Sequence, residues 1–304
     1  MVGMGTNNFG SRMDWPAVER VVGAALEQGI NLFDTAASYG DGESERLLGR
    51  ALRGRREQAV IATKFAGSGS EGRTAGPGSA AEVRHSAEAS LRRLGVQRID
   101  LLQMHFPDPS TPITETLGAL QELLDQGKVG WIGCSNFSAE QILEAEAGAH
   151  SLGVTPFICS QEHYSLLARE VEVEVVPALE RLGMGLLPYF PLASGLLTGK
   201  YRRDRPPPAG SRATWPRWQH LLQDQSQFDR LERIERFAAD RGRSMLEAAF
   251  AGLLRRPVVA SVIAGATTEA QVRANAAAAS WVLSAEEARE LDRITAATGD
   301  AEEP

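Results

Sequence analysis

Cysteine is scarce: Cys134 and Cys159 are the only two in 304 residues. They match neither a metal-ligand spacing nor a disulfide framework, which points to a reducing compartment and to no metal centre. Each ends an apolar run and so reads as a buried thiol serving as a small hydrophobe. Long hydrophobic runs are missing too, and no stretch is long enough to cross a bilayer. The opening MVGMGTNNFG has neither the basic flank nor the apolar centre of a secretion signal. No block of one charge appears. The net charge of -7 is spread along the chain, which removes the electrostatic footprint of a nucleic-acid binder. These absences together predict a cytoplasmic protein with neither nucleic-acid nor membrane partner. Aromatics are few at 6%, but 43% apolar residues are enough for a full-sized core.

What the chain does have is a repeating unit: a short apolar run, a loop, then an amphipathic helix. AVERVVGAALEQG puts Val18, Val21, Val22, Ala25 and Leu26 on one helical face, with Gly29 just past its end as a C-terminal cap. INLFDT follows. Further helices then lead in turn to the runs QAVIATK, RIDLLQMH, KVGWIGCS, TPFICSQ, MGLLPYF and VVASVIAGA. Ser79/Glu82, Ser138/Gln141, Ser244/Glu247, Thr268/Gln271 and Ser284/Glu287 have capping-box spacing at expected helix starts. With VGMG counted first, eight short strands alternate with helices, which predicts a parallel sheet closed as a (β/α)8 TIM barrel in a single domain. A doubly wound sheet would instead open on a G-x-G-x-x-G turn, and no helix starts in register with the glycines of GMGTNNFG. One stretch after the seventh strand breaks the pattern. Residues 201–225, rich in proline, arginine and tryptophan, read equally as a surface loop or as a lid.

Active sites of such barrels lie where strands end at their C-terminal edge. Asp34 ends the second strand, Lys64 the third and His105 the fourth, and Tyr39 follows the second by one loop. Singly, each has a plain explanation as a turn cap, a half-buried aromatic, a snorkelling amine or a core histidine. On one rim they make joint chemical sense. A phenol with its usual pKa near 10 is a poor acid at neutral pH. An adjacent ammonium is expected to lower that value, a carboxylate to hold the ammonium charged, and an imidazole to bond the substrate oxygen or relay a proton.

GTNNFG, NLFDTAASYGDGESERLLGRAL, ATKF, RIDLLQMHFPDP, GCSNFS and YFPLASGLLTGK together resemble the aldo-keto reductase family, in order and over nearly the whole chain. The resemblance implies a barrel that reduces aldehydes or ketones with NADP, or with NAD, taking a small-molecule carbonyl substrate. It implies a catalytic tetrad at Asp34, Tyr39, Lys64 and His105, with Tyr39 as general acid. It also implies that Ser135, Asn136, Gln161 and Tyr189 hold the nicotinamide, with Thr6 among the other cofactor-binding residues. Leu192, Ser194, Gly195 and Lys200 would lie at the pyrophosphate, and Gly265, Thr267, Gln271 and Asn275 at the adenosine end. Phe9, Phe65, Phe106, Trp215 and Trp218 are candidates for an apolar substrate pocket.

The chain departs from the family pattern in places. Thr267 stands where many relatives carry a cation for the 2′-phosphate, with Thr268 and Arg273 nearby as substitutes. Ala264 replaces a common proline and Phe190 a common serine. Two alternatives stay open at this level: a cofactor-sensing regulatory subunit, as the family includes among ion-channel partners, and a lyase using Lys64 as a Schiff-base nucleophile.

Overall fold

A computed structural model of the chain describes residues 1–67, 76–216, 218 and 222–296. Its strands are β1 (Val2–Gly5), β2 (Leu32–Asp34), β3 (Val60–Phe65), β4 (Ile99–Met104), β5 (Val129–Ser135), β6 (Cys159–His163), β7 (Gly185–Tyr189) and β8 (Val262–Gly265). The helices are α1 (Trp15–Glu27), α2 (Glu43–Ala51), α3 (Ala80–Leu94), α4 (Ile113–Asp125), α5 (Ala139–Leu152), α6 (Val175–Leu182), α7 (Gln225–Ala239), α8 (Met245–Leu254), α9 (Glu269–Ala278) and α10 (Ala285–Thr295). All eight strands are parallel, and each lies beside its sequence neighbour from β1 to β7, with β8 against β1. The ring closes between β7 and the segment leading into β8: Leu186 N–H donates to Val258 O at 2.7 Å and Ala260 N–H to Leu186 O at 3.0 Å. The chain is a (β/α)8 barrel, as the alternation of its elements predicts.

Inside the ring, Leu32, Ala62, Leu101, Cys159, Leu187 and Ile263 form an apolar plug. Gly133 has no room for a side chain, because a Cβ there would stand 2.7 Å from Cys159 Sγ. Both cysteines are free and buried. Burial pushes the Cys159 thiol up to about 12 and that of Cys134 well above its usual value, so neither is a nucleophile at neutral pH. The larger core lies between the strands and the helix ring.

The predicted helix starts hold in part. Ser138/Gln141, Ser244/Glu247 and Ser284/Glu287 are reciprocal capping boxes. Thr268 accepts from Gln271 N–H, but the Gln271 side chain turns to Thr267 instead of closing the box. The Ser79/Glu82 box does not form: the Ala80 amide donates to Glu115 of the next helix at 2.9 Å, and Ser79 Oγ has no partner among the described residues. The Ser79 N–H, which Glu82 would accept from in a closed box, donates instead to the Gly76 carbonyl of the preceding turn at 3.0 Å.

The long segment after β7 also holds more order than its composition suggests. Gln225 opens α7, capped by Asp224, and Phe228, Leu231, Ile234, Phe237 and Ala238 of this helix are buried. With Tyr201, Ala213 and residues of α8 they form a second apolar cluster beside the barrel. Within 201–225, residues 217 and 219–221 lie outside the described residues.

Candidate active site

Four of the inward positions near the strand ends are polar, and they converge on one carboxylate. Asp34 accepts from Lys64 Nζ through both oxygens, at 2.7 and 2.8 Å, and from Gln161 Nε2 at 2.8 Å, with Gln103 Nε2 at 3.4 Å. The register explains the convergence. Lys64 pairs with Gln103 across β3 and β4, and side chains two apart share a face, so Asp34, Lys64, Gln103 and Gln161 all turn into the barrel. Gln103 is absent from the sequence-based candidates, although its place two residues before His105 marks it as inward. Lys64 also donates to the carbonyl of Thr35 at 2.9 Å.

Tyr39 completes the group from the loop after β2. Its ring centroid lies 5.2 Å from Lys64 Nζ and 6.2 Å from that of His105. Tyr39, Asp34 and His105 line one cavity of 760 Å³ at this end of the barrel. Thr6, a cofactor candidate, also lines it, yet its hydroxyl is engaged with the Asp34 carbonyl at 3.0 Å and with Ser44 Oγ at 2.8 Å. Thr6 therefore fixes the backbone behind Asp34.

The electrostatics refine the expectation in one respect. Burial pulls Lys64 down, but Asp34 and then Tyr39 outweigh it, and the amine is raised above its usual value. A lysine so held stays protonated. Tyr39 does not follow the expected direction: desolvation pushes the phenol above 10, and although Lys64 pulls it down, Asp34 adds to the rise. The phenol is thus firmly protonated at neutral pH. His105 is pushed down to about 3 by burial and then by the Lys64 charge, so it is a neutral imidazole suited to hydrogen bonding.

A depressed base favours the fold above its unfolded pKa, and that contribution drains away as pH falls from about 6.5 toward about 3. The variant His105→Gln is expected to lose thermal stability less steeply than wild type between pH 6.5 and 4. Melting temperatures across that range check it, and parallel curves refute it.

The other wall is an amide and hydroxyl lattice. Asn136, in the left-handed region at φ 61°, donates to the His105 carbonyl at 2.9 Å and to Ser135 Oγ at 3.0 Å. Its side-chain oxygen accepts from Tyr189 O–H at 2.7 Å, and Ser135 Oγ donates to the Gln161 carbonyl at 2.7 Å. Tyr189 has His163 stacked on one face, with centroids 5.5 Å apart.

Beyond β7 the backbone turns sharply: Phe190, Ala193 and Ser194 all have positive φ, and Gly195 has φ 100°. Glycine is needed at Gly195 for conformation, and a Cβ there would meet only the movable tip of Lys200, at 2.8 Å. Leu192, Ser194, Gly195 and Lys200 line the cavity, as do Gly265, Thr267, Gln271 and Asn275 across from them. Gln271 Oε1 accepts from Thr267 N–H at 2.8 Å and from its hydroxyl at 3.1 Å. Arg273 lies outside the cavity lining and pairs with Glu269 at 3.5 Å.

The aromatic candidates divide. Phe106 lines the cavity and stacks on His105, with centroids 4.7 Å apart. Phe65 and Phe9, 1% and 0% exposed, belong to the outer core and do not line the cavity. The reason for Phe65 is strand alternation: Lys64 points in, so Phe65 points out. Phe9 folds under its own loop, where its N–H donates to Thr6 O. Trp215 is also outside the lining and carries Arg12, a lining residue, over its ring at 3.4 Å. Trp218 lies edge-on to Phe190, another lining residue, and both flank Arg212. Arg12, Phe190 and Arg212 were not among the candidate ligand residues, since nothing local in the sequence marks which loop residues face inward.

Comparison with known proteins agrees with the geometry. The model of the Aldo/keto reductase family matches residues 1–296. A protein of Arabidopsis thaliana named probable voltage-gated potassium channel subunit beta is 35% identical over 274 residues, 88% of this chain and 83% of its own length. Aldo-keto reductase YhdN of Bacillus subtilis (strain 168) is 33% identical over 306 residues, 96% of this chain and 89% of its own. Eight strands in barrel order and a match running almost end to end leave one conclusion: the chain belongs to the aldo/keto reductase family and is an oxidoreductase acting on carbonyl groups with a nicotinamide cofactor.

Proposed function

We propose that the protein reduces aldehydes or ketones to alcohols with NADPH, in a single barrel domain, with Tyr39 as the general acid. The observation that carries this is Asp34, Tyr39 and His105 lining one cavity, with Lys64 held behind them on Asp34 and beside the Tyr39 ring. The fit of a dinucleotide rests on the chain itself. The turn at Phe190–Gly195 brings backbone close to the cavity, Lys200 and Arg212 supply positive charge for phosphates, and Asn275 and Gln271 offer amides opposite. When bound, the nicotinamide supplies the hydride. His105, neutral, donates a hydrogen bond that orients the carbonyl oxygen. As that oxygen gains charge it becomes more basic than a phenolate, and Tyr39 gives it the proton. Lys64 stabilises the phenolate left behind, and Asp34 keeps Lys64 charged and in place. Of the stretch 201–225, residues 208–212 line this cavity and serve as its lid, and the setting is cytoplasmic.

The test is oxidation of NADPH against a panel of aldehydes and ketones. Turnover with at least one class supports the reading. Cofactor binding without turnover across the panel would favour a regulatory subunit, a role suggested by the relative named as a channel subunit. The lyase alternative is disfavoured by Lys64 itself, which is charged and donates to both Asp34 oxygens, whereas a Schiff-base lysine must be neutral to attack.

NADP over NAD is part of the proposal, and Thr267 is its weak point. Thr267→Arg is expected to tighten NADPH binding by about 10- to 100-fold relative to NADH, since a charge-assisted bond contributes about 1.5–3 kcal/mol. Dissociation constants for both cofactors check it, and an unchanged ratio places the 2′-phosphate elsewhere.

A further inference from the structure

Two consecutive residues of β6 serve opposite sides of the barrel wall. Gln161 turns inward to Asp34, and Glu162, 5% exposed, lies behind the wall and does not line the cavity. A buried carboxylate is ordinarily paired with a cation, yet among the described residues Glu162 forms no ion pair. Its Oε1 accepts from Ser160 O–H at 2.5 Å and from the backbone N–H of Phe137 at 3.2 Å. Phe137 directly follows Asn136, which sits in the left-handed region at φ 61°, a conformation that asparagine adopts more readily than other side-chain-bearing residues. That same Asn136 is the crossbar of the lattice, holding the His105 carbonyl, Ser135 Oγ and the Tyr189 hydroxyl together.

We infer that Glu162 is a positioning residue: its ionised carboxylate pins the Phe137 N–H from behind the wall and so holds Asn136 in the turn from which it braces the nicotinamide seat. This rests on the reading of the cavity as a nicotinamide dinucleotide site. A purely structural turn would be served by any neutral acceptor, and a glutamine there would avoid burying a charge. Burial pushes the Glu162 carboxyl up to about 7, against Ser160 and the Phe137 and Asn136 backbone, which hold it down. It is therefore part ionised and part protonated near neutrality. Its titratable neighbours are quiet in that range: burial keeps the Cys134 thiol neutral and pushes Tyr189 up to about 12. His163, the next residue along β6, is stacked on Tyr189. Protonation turns a charge-assisted bond to Phe137 N–H into an ordinary one. The seat then loosens, so cofactor affinity falls as pH falls.

The experiment measures NADPH and NADH dissociation constants by tryptophan quenching between about pH 6 and pH 8, for wild type, Glu162→Gln and His163→Gln. Cofactor KM and kcat are taken on the same preparations. Wild type is expected to weaken by about fivefold toward pH 6, the ratio between a charge-assisted and an ordinary hydrogen bond. Glu162→Gln is expected to be weak and flat across the range, with cofactor KM raised and kcat at saturation within about twofold. The titration of the 2′-phosphate is common to all three proteins and absent from NADH, so it cancels. Equal affinities and equal pH profiles in wild type and Glu162→Gln overturn the inference. So does a pH step that vanishes in His163→Gln. A flat wild-type profile overturns it without any variant, should Glu162→Gln fail to fold. Wild type that binds neither cofactor sinks the dinucleotide reading and this inference with it, whereas wild-type binding with an unaltered variant sinks the inference alone.

Discussion

Tyr39→Phe is expected to lower kcat for carbonyl reduction by about 10²–10⁴-fold, the usual contribution of a positioned acid, while leaving cofactor affinity within about twofold. The ring that packs against His105 stays, and one hydroxyl goes. What disappears is the proton that must reach the substrate oxygen as hydride arrives. Binding energy is not at stake, since the cofactor candidates Ser135, Asn136 and Gln161 are held by one another and by Asp34. The pH profile adds a second reading. The acid form is the active one, and desolvation holds the phenol above 10, so turnover limited by proton donation should be flat through neutral pH and fall only under strongly alkaline conditions. Single-turnover rates with saturating NADPH, for wild type and variant, measure both. A variant as fast as wild type would remove Tyr39 from the chemistry, and a falling rate between pH 6 and 8 would assign the acid to another group.

How much of this could be read from residues alone follows from where the information lies. Asp34, Lys64 and His105 are legible because each is a polar residue ending an apolar run, and a barrel gathers strand ends whatever the side chains are. Phe9 and Phe65 are misread because facing the cavity or the outer core depends on strand register and loop packing, which no single run of sequence reveals. The direction of the Tyr39 shift is misread for a related reason. Coulombic partners can be listed from sequence, but desolvation depends on everything packed around the phenol, and here desolvation is the larger effect. At Ser79 the box spacing is present but does not close, since the Ser79 N–H goes to the Gly76 carbonyl of the turn before it, which spacing alone does not reveal. The α7 helix is missed at the sequence level, although Phe228, Leu231, Ile234 and Phe237 recur at helical spacing behind the capping Asp224. Its neighbours 201–225 obscure it by composition. Glu162 is the hardest case, because SQEHY alternates polar residues with no periodic sign of which is buried.

Lys64→Met is expected to cost about 3–5 kcal/mol of folding stability, the usual penalty for removing one partner of a buried ion pair. In a chain of this size that lowers the melting temperature by on the order of 10 °C. The side chains of Lys64 and Asp34 are 0% and 4% exposed, so water cannot take over the lost contact. Methionine fills nearly the same volume, and what remains is a carboxylate with only Gln161 at 2.8 Å and Gln103 at 3.4 Å to answer its charge. The cost therefore comes from the stranded anion, with little contribution from a cavity. The double variant Asp34→Asn/Lys64→Met separates the two, since it removes both charges and keeps the amide contacts. Melting temperature should return most of the way to wild type, while carbonyl reduction stays as low as in Lys64→Met, because Tyr39 then has no ammonium to stabilise its phenolate. Stability recovered without activity is what a pair retained for chemistry predicts. If activity returned along with stability, the pair would be serving the fold, and the proton transfer would have to be explained without it.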